Sequence, residues 1–544
     1  MPAETPVPPA MKEFLKQRRR LRFLTDFHWE LPVLLLFTLL FYVAYLTPRC
    51  ASLRLLTWDA FRDLITAQHL LAGGALLADP ALHGFFCWYP PLHAFLCAKF
   101  IELFHFDVFT FYAFTPVFIN WMLAPAFYCF CRLFLDNDNR AAFWATLALT
   151  VMPWPVTYVF AFPTVMAHAV CIAIPLFLWY VRLTAQAYGK GWILFSCCCG
   201  LFAYYHPPTF LIVSGIIVLH HGFDLFHDIP KKTIGLRLFS FVSISALISS
   251  PYWALNLSQP IKNPTPLTYI SPAMLQLEVV LPGTSWLRSL PFLFLAAIGL
   301  WILVQRRKES RFRFLAAFVV ISLAGQMPAY ARILIDAYFP MWHERVADRI
   351  PTLLPHEFQL YFQLLLCILV GMGIRRIGEW KGRRRSLPYY CAFLYFLFCM
   401  GYSLYEFPAR SQVFLWPYRP AAEWDDAVHW IHSSTSAQEV ICTPDDQTAF
   451  FIVGARTGRK CLLSYASHVN PHVDVELRKN AREAIFTTSD SLELQQFAKE
   501  YEIRYILCKF NAVTPDRLVF FRQNLKTVFD DGTIFIFELR NTNT

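Results

Sequence analysis

Residues 90–104, Pro90-Pro91-Leu92-His93-Ala94-Phe95-Leu96-Cys97-Ala98-Lys99-Phe100-Ile101-Glu102-Leu103-Phe104, decide how the whole chain is threaded. If they crossed a membrane, every later loop would change sides. They are too few for that, because a spanning helix needs about 20 mostly apolar residues, and they include His93, Lys99 and Glu102. Pro90-Pro91 suits the first turn of a helix, so the stretch reads as an amphipathic helix lying along a membrane surface. With 90–104 set aside, apolar segments remain at 31–47, 109–131, 141–157, 164–181, 192–205, 208–222, 237–255, 287–304, 314–335, 357–374 and 387–406. That is a threading of about 11 transmembrane helices.

This threading puts all six clusters of Lys and Arg on one side. They fall at 1–30, 131–140, 182–191, 227–237, 305–313 and 375–385 and hold 24 basic residues, and the opposite loops hold far fewer. Basic loops stay on the cytoplasmic side. The N-terminus is therefore expected inside the cell, and the long polar segments and the C-terminus outside it, in a periplasm or lumen. The composition agrees: of 544 residues 56% are hydrophobic and 16% charged. The net charge of +10 is accounted for by topology and by anionic lipid headgroups, so no nucleic acid partner is implied. Residues 11–22, rich in Lys and Arg, precede the run 31–47 as in a signal peptide. The run ends Tyr45-Leu46-Thr47-Pro48-Arg49-Cys50 with no small-x-small site, so a retained first helix is expected. The fifteen cysteines lie mostly in apolar segments and show no metal-ligand spacing. Cys442, Cys461 and Cys508 leave room for one disulfide.

From about residue 408 the composition becomes that of a soluble α/β domain. Helix-like stretches at 422–433, 474–485 and 490–500 alternate with strand-like 438–443 and 503–508. A closing pair, 525–529 and 533–539, is joined by the hairpin signal Asp530-Asp531-Gly532. The chain thus divides into a membrane unit, 1–407, whose first exterior loop spans 48–108, and an exterior unit, 408–544. No repeat of fixed period is present.

Within that first loop, Asp59 opens a helix that Gly73-Gly74 ends, and Asp63 follows one turn later on the same face. Asp59 suits an N-cap, and a cap also fixes the carboxylate where it could take a proton from an acceptor hydroxyl. Asp63 has an equally plain structural use, pairing with Arg62. After the helix comes an aromatic-Pro-Pro-Leu element, Trp88-Tyr89-Pro90-Pro91-Leu92.

A first helix, an Asp opening an exterior helix that ends in Gly-Gly, and the aromatic-Pro-Pro-Leu element together resemble the GT-C membrane glycosyltransferases. The likeness is to the bacterial branch related to protein O-mannosyltransferases and lipid A aminoarabinose transferase. In the tail, Thr457-Gly458-Arg459, Ile503-Arg504-Tyr505-Ile506 and the closing hairpin are similar to the exterior domain such enzymes often carry. The resemblance implies an inverting transfer of a sugar from a polyprenyl phosphate to a hydroxyl of a glycan, lipid or protein acceptor. It would occur on the periplasmic face of a bacterial inner membrane, with Asp59 as the base and Asp63 beside it. Phosphate leaves readily, so one base plus cations suffices, unlike the paired carboxylates of glycoside hydrolysis.

In related transferases a basic residue of a late exterior loop touches the donor phosphate. Arg345 and Arg349 are the candidates here, each of which could instead pair with Glu344 or Asp348. His356 at the re-entry of the next helix, His206 in the turn His206-Pro207-Pro208, and Lys99 are further candidates for the donor phosphate or lipid. Trp58, Trp88 and Tyr89 suit sugar stacking or an interfacial belt. Many family members carry an acidic residue in the second exterior loop, and residues 153–167 have none. No cofactor and no divalent metal is therefore expected, because hard cations want several oxygens. The rival readings are a flippase for a lipid-linked glycan and an oligosaccharide transferase to protein. The first wants ionisable groups in mid-membrane, and acidic residues are scarce in the spans. The second wants further exterior acids.

Overall fold

The computed structural model describes residues 30–50, 58–151, 165–186, 188–227, 230–263, 286–328, 355–379, 422–465 and 469–539, with scattered positions between 331 and 399. Apolar helices cover most of the segments read as crossings. They are α1 (Glu30–Cys50), α4 (Val108–Phe134), α5 (Asn139–Val151), α6 (Val165–Thr184), α7 (Lys190–Phe202), α8 (Pro207–Asp224), α9 (Lys231–Leu257), α10 (Trp286–Gln305), α11 (Ser310–Ala324) and α12 (Pro355–Glu379). The last segment, 387–406, lies largely outside the described residues. Among the described residues, Lys231–Leu257 and Glu357–Glu379 are long and apolar enough to cross a membrane unaided. The intervening helices α2 (Trp58–Leu71) and α3 (Leu92–Phe104) belong to the first loop. As the sequence suggests, α3 covers only 92–104. It closes at His105, whose φ of 55° is left-handed.

The helices pack around an aromatic core in which Phe130, Phe134, Phe177, Phe314, Phe318 and Tyr361 bury their rings against one another. Close approach is set by small residues. A Cβ on Gly299 of α10 would stand 2.1 Å from the Leu369 carbonyl oxygen of α12, and one on Gly373 of α12 would stand 2.2 Å from that of Leu295 on α10.

Among the described residues, one end of the bundle gathers residues of the 131–140, 182–191, 227–237, 305–313 and 375–385 clusters. Asp136 accepts from Arg306 (2.7 Å), Arg311 and Arg375 (2.6 Å), joining three clusters through one carboxylate. Burial alone would raise its pKa, and the three guanidiniums reverse that and hold it well below the usual carboxylate range. Arg237 donates to the carbonyls of Thr184 (3.2 Å) and Gln186, tying two further clusters, and Arg313 donates to Asp224 at the end of α8 (2.7 Å). A shared acidic hub explains why basic loops distant in sequence meet.

At the other end sit the first loop and the tail. The tail forms a five-stranded sheet in the order β2-β1-β3-β5-β4, built from β1 (Val440–Cys442), β2 (Lys460–Cys461), β3 (Ile503–Lys509), β4 (Lys526–Asp530) and β5 (Ile534–Glu538). β1 runs parallel to β2 and β3, and the hairpin β4–β5 is antiparallel. Helices α13 (Asp425–Ser434), α14 (Val475–Thr487), α15 (Ser491–Glu500) and α16 (Pro515–Asn524) surround it. The expected hairpin turn is present, with Gly532 at φ 85°. Sequence reading missed α16, β2 and a π-helix at Thr448–Thr457. Cys442, Cys461 and Cys508 are buried free thiols, so the disulfide left open above is not formed between them.

The tail is seated on the first loop. Cys461 N–H donates to the Ala81 carbonyl at 2.7 Å, in a parallel bridge between Leu82 and Cys461. Lys460 Nζ donates to the carbonyls of Asp79 (2.7 Å) and Leu82 (3.3 Å), and Asn470 donates to the Asp79 carboxylate (3.0 Å). Gly458, at φ 67°, lies so close to α2 that a Cβ would meet the Gln68 carbonyl oxygen at 2.6 Å. His69 Nδ1 donates to the Gly458 carbonyl at 3.3 Å.

Burial first, and then Lys460, lower the pKa of His69 to about 4. The folded state therefore binds fewer protons than the unfolded chain, whose His titrates near 6.5. The seat is at full strength above about pH 6.5 and weakens as pH falls toward 4, by up to about 3 kcal/mol. Hydrogen exchange at Gly458 and Cys461 is expected to rise across that interval, and the rise should vanish in His69→Asn.

Candidate active site

α2 carries the Asp63 carboxylate toward the bundle. Its apolar face sends Ala60, Phe61, Leu64, Ile65 and Ala67 into a cluster with Ala94, Ile101, Tyr112, Phe450 and Phe451, drawn from α3, α4 and the tail. The helix is described from Trp58, which places Asp59 in its first described turn and Asp63 four residues on. Of Asp59 and Trp58 only the backbone is described.

Asp63 is buried, 2% exposed. One carboxylate oxygen accepts from Arg62 Nε (3.4 Å) and Nη2 (3.3 Å), and the other accepts from the Val165 N–H of α6 (3.2 Å). Tyr112 donates its hydroxyl to the Asp63 carbonyl at 3.2 Å. The pairing of Asp63 with Arg62 is thus present. It holds the Arg62 guanidinium over the Tyr89 ring, its Cζ 3.5 Å from the centroid, where cation–π attraction adds to the ion pair.

The same cleft is lined by Arg62, Thr66, Trp88 and Tyr89 of the first loop and by Phe450 and Ser464 of the tail. The structure therefore brings Trp88 and Tyr89 together with Arg62, and Trp88 packs edge-on against Tyr89 at 5.5 Å. The cleft thus sets a cation over one aromatic ring with an indole beside it, in a lining that also includes Ile65, Pro80 and Ala81.

Behind Asp63 lies a buried layer of histidines. His93 Nε2 is 4.0 Å from Asp63 Oδ2, its Nδ1 is 3.2 Å from the Tyr205 hydroxyl, and His168 Nδ1 is 3.2 Å away. Burial, then His168, His206 and Arg62, push the pKa of His93 far down, so the ring is neutral at pH 7. His206 holds the N-cap position of α8, where Pro207 and Pro208 set the first turn. Its Nδ1 is 2.8 Å from Thr209 Oγ1 and its Nε2 is 3.2 Å from Glu357 of α12. Tyr361 donates to the same Thr209 hydroxyl at 3.2 Å. His206 is thus a partnered, buried residue at the join of α8 and α12.

Of the other candidates, Lys99 points away from this layer. Its side chain is 59% exposed and pairs with Glu102 at 2.6 Å, on the face of α3 opposite His93 and Cys97. His356 is helical, immediately before Glu357, and only its backbone is described. Arg345 and Arg349 lie outside the described residues. Sequence reading singled out neither His168 nor Tyr205 nor Glu357 as site residues. A lone His inside the apolar span 164–181 was the available signal, since polar groups at that depth need a partner.

No protein-family model and no curated protein sequence matches the chain. Solved structures do match, and their class is that of the GT-C membrane glycosyltransferases, whose fold this chain has. One is the oligosaccharyltransferase AglB from Archaeoglobus fulgidus, solved in complex with an inhibitory peptide and a dolichol-phosphate. It aligns at TM-score 0.54 and 12% identity over 88% of this chain and 69% of that one. The arabinofuranosyltransferase AftD from Mycobacteria aligns at 0.56 and 14% over 94% of this chain and 40% of that one. ArnT from Cupriavidus metallidurans bound to undecaprenyl phosphate aligns at 0.50 and 12% over 93% and 97%. At these identities the likeness is one of fold.

Proposed function

We propose that this protein is an inverting membrane glycosyltransferase that moves a sugar from a polyprenyl phosphate to an acceptor hydroxyl. The observation that carries this reading is the Asp63–Arg62–Tyr89 arrangement. It holds a guanidinium and two aromatic rings in one cleft at the end of the bundle opposite the basic loops. That end faces the periplasm if the basic loops face the cytoplasm. Solved neighbours of the same fold bind dolichol-phosphate and undecaprenyl phosphate, which supports a lipid-linked donor.

In the reaction, Asp59 removes the proton of the acceptor hydroxyl as its oxygen attacks the anomeric carbon from the face opposite the phosphate. The anomeric C–O bond breaks, the electron pair stays on the phosphate, and the configuration inverts. Arg62, aided by Arg345 or Arg349, stabilises the departing phosphate. Asp63 fixes the Arg62 guanidinium, and Trp88 and Tyr89 position the sugar. His206 and Glu357 hold α8 against α12 beneath the site. No metal is required in this scheme, because phosphate is already a good leaving group.

Purified protein incubated with a labelled polyprenyl-phosphate sugar and membrane extract is expected to release polyprenyl phosphate and label an acceptor. Lipid copurifying with the protein should include a polyprenyl phosphate. Donor bound but never consumed in the presence of extract would overturn the transferase reading and favour the flippase.

A further inference from the structure

His93 and Cys97 lie four residues apart on α3 and face His168 of α6, with their donor atoms within 4.8 Å of one another. His168 Nδ1 is 3.2 Å from His93 Nδ1, and Cys97 Sγ is 3.8 Å from the same atom. A tetrahedral zinc, with Zn–N of about 2.0–2.1 Å and Zn–S of about 2.3 Å, sets its donors roughly 3.3 Å apart for two nitrogens and about 3.6 Å apart for nitrogen and sulfur. The triad is already close to that spacing.

Tyr205 and Tyr112 hydrogen-bond His93 and Cys97 from outside the triad, but the contacts within it are not directed ones. His168 Nδ1 is equally far, 3.2 Å, from both ring nitrogens of His93. A directed N–H···N bond would select one of them. The Cys97 thiol is likewise 3.8 and 3.9 Å from the two nitrogens. A turn of the His93 ring about its broad second torsion would aim Nδ1 into the centre of the triad. Nε2 would then carry the proton toward Asp63 Oδ2, now 4.0 Å away. That is the carboxylate–histidine–metal relay by which metal sites fix a ligand's tautomer. The same turn would release the Tyr205 hydroxyl, now 3.2 Å from His93 Nδ1.

We propose that His93, Cys97 and His168 form a site for a borderline-soft divalent cation such as zinc, which clamps the interfacial helix α3 to α6 behind Asp63. The donor set of two imidazoles and one thiolate selects zinc over magnesium or calcium. On binding, Cys97 loses its proton to solvent. Its negative charge and that of Asp63 then face the cation and Arg62, leaving a single net positive charge. A hard-cation site of several oxygens is a separate matter, since this triad offers no oxygen cage.

The test uses the full-length protein in detergent, stripped with a chelator and titrated with cobalt(II). One equivalent should bind with the intense visible bands of tetrahedral cobalt and a near-ultraviolet thiolate-to-cobalt charge-transfer band. Cys97→Ser should lose the charge-transfer band, and His168→Gln should weaken binding at least about 10-fold. Asp63→Asn should weaken it about 10- to 100-fold through His93. Failure of wild type to bind near one equivalent, or a charge-transfer band that survives in Cys97→Ser, would overturn the proposal. Metal content is read without sugar transfer, so this test and that of the transferase reading fail separately.

Discussion

Asp59→Asn is expected to lower sugar transfer about 10²- to 10⁴-fold, the usual contribution of a positioned general base. The amide keeps the shape and one acceptor oxygen of the carboxylate but cannot take a proton. The loss should therefore appear in kcat, with the KM for the donor nearly unchanged and the thermal stability within about 0.5 kcal/mol of wild type. Asp63→Asn should behave differently. Both oxygens of Asp63 are engaged, one by Arg62 and one by the Val165 N–H, so the amide must turn an NH2 group toward one of these donors. A buried mismatch of that kind costs about 1–3 kcal/mol, and the variant should lose stability together with donor affinity. Single-turnover kinetics with labelled donor, run beside thermal unfolding, separate the two carboxylates. Wild-type turnover in Asp59→Asn would end its assignment as the base.

A linear reading reaches what is local along the chain. Asp59, Asp63 and the aromatic-Pro-Pro-Leu element are local in sequence, and so is the short helix at 92–104 on which the expected threading rests. The hairpin around Gly532 was legible for the same reason, because its turn chemistry sits in three consecutive residues. What escaped notice depends on contacts across long separations. His168 meets His93 over 75 residues, and Glu357 meets His206 only because α8 and α12 pack side by side. The tail's seat was hidden too. β2 is two residues long and has a parallel partner in the first loop, 379 residues earlier in numbering, so no periodicity announces it. The π-helix at 448–457 reads as an apolar run with no period to separate it from a strand.

The second large effect concerns Gly299 and Gly373. Each lets a backbone carbonyl of the facing helix approach to a distance that excludes a Cβ, and the two contacts are reciprocal across the α10–α12 crossing. In an apolar solvent such close packing is a main source of helix association. Gly373→Ile should force the helices apart and cost about 3 kcal/mol or more, at the upper end of overpacking penalties. The measurable result is loss of the monodisperse peak in detergent and a sharply lower unfolding temperature. Gly299→Ile with Gly373→Ile should cost much less than the sum of the two, because the first separation already relieves the second clash. Additive losses would show that the two glycines do not share one crossing.

The parallel bridge between Leu82 and Cys461 also bears on how this molecule can be divided. β2 is the margin of the tail's sheet, and its Cys461 amide is occupied by the Ala81 carbonyl of the first loop. Phe450 and Phe451 are likewise covered by α2. Severed at residue 408, the tail would present an unsaturated β-margin and two bare phenyl rings to water, the ingredients of self-association. Whatever route assembles this protein, the tail's sheet ends on a backbone bond supplied by chain made some 380 residues before it.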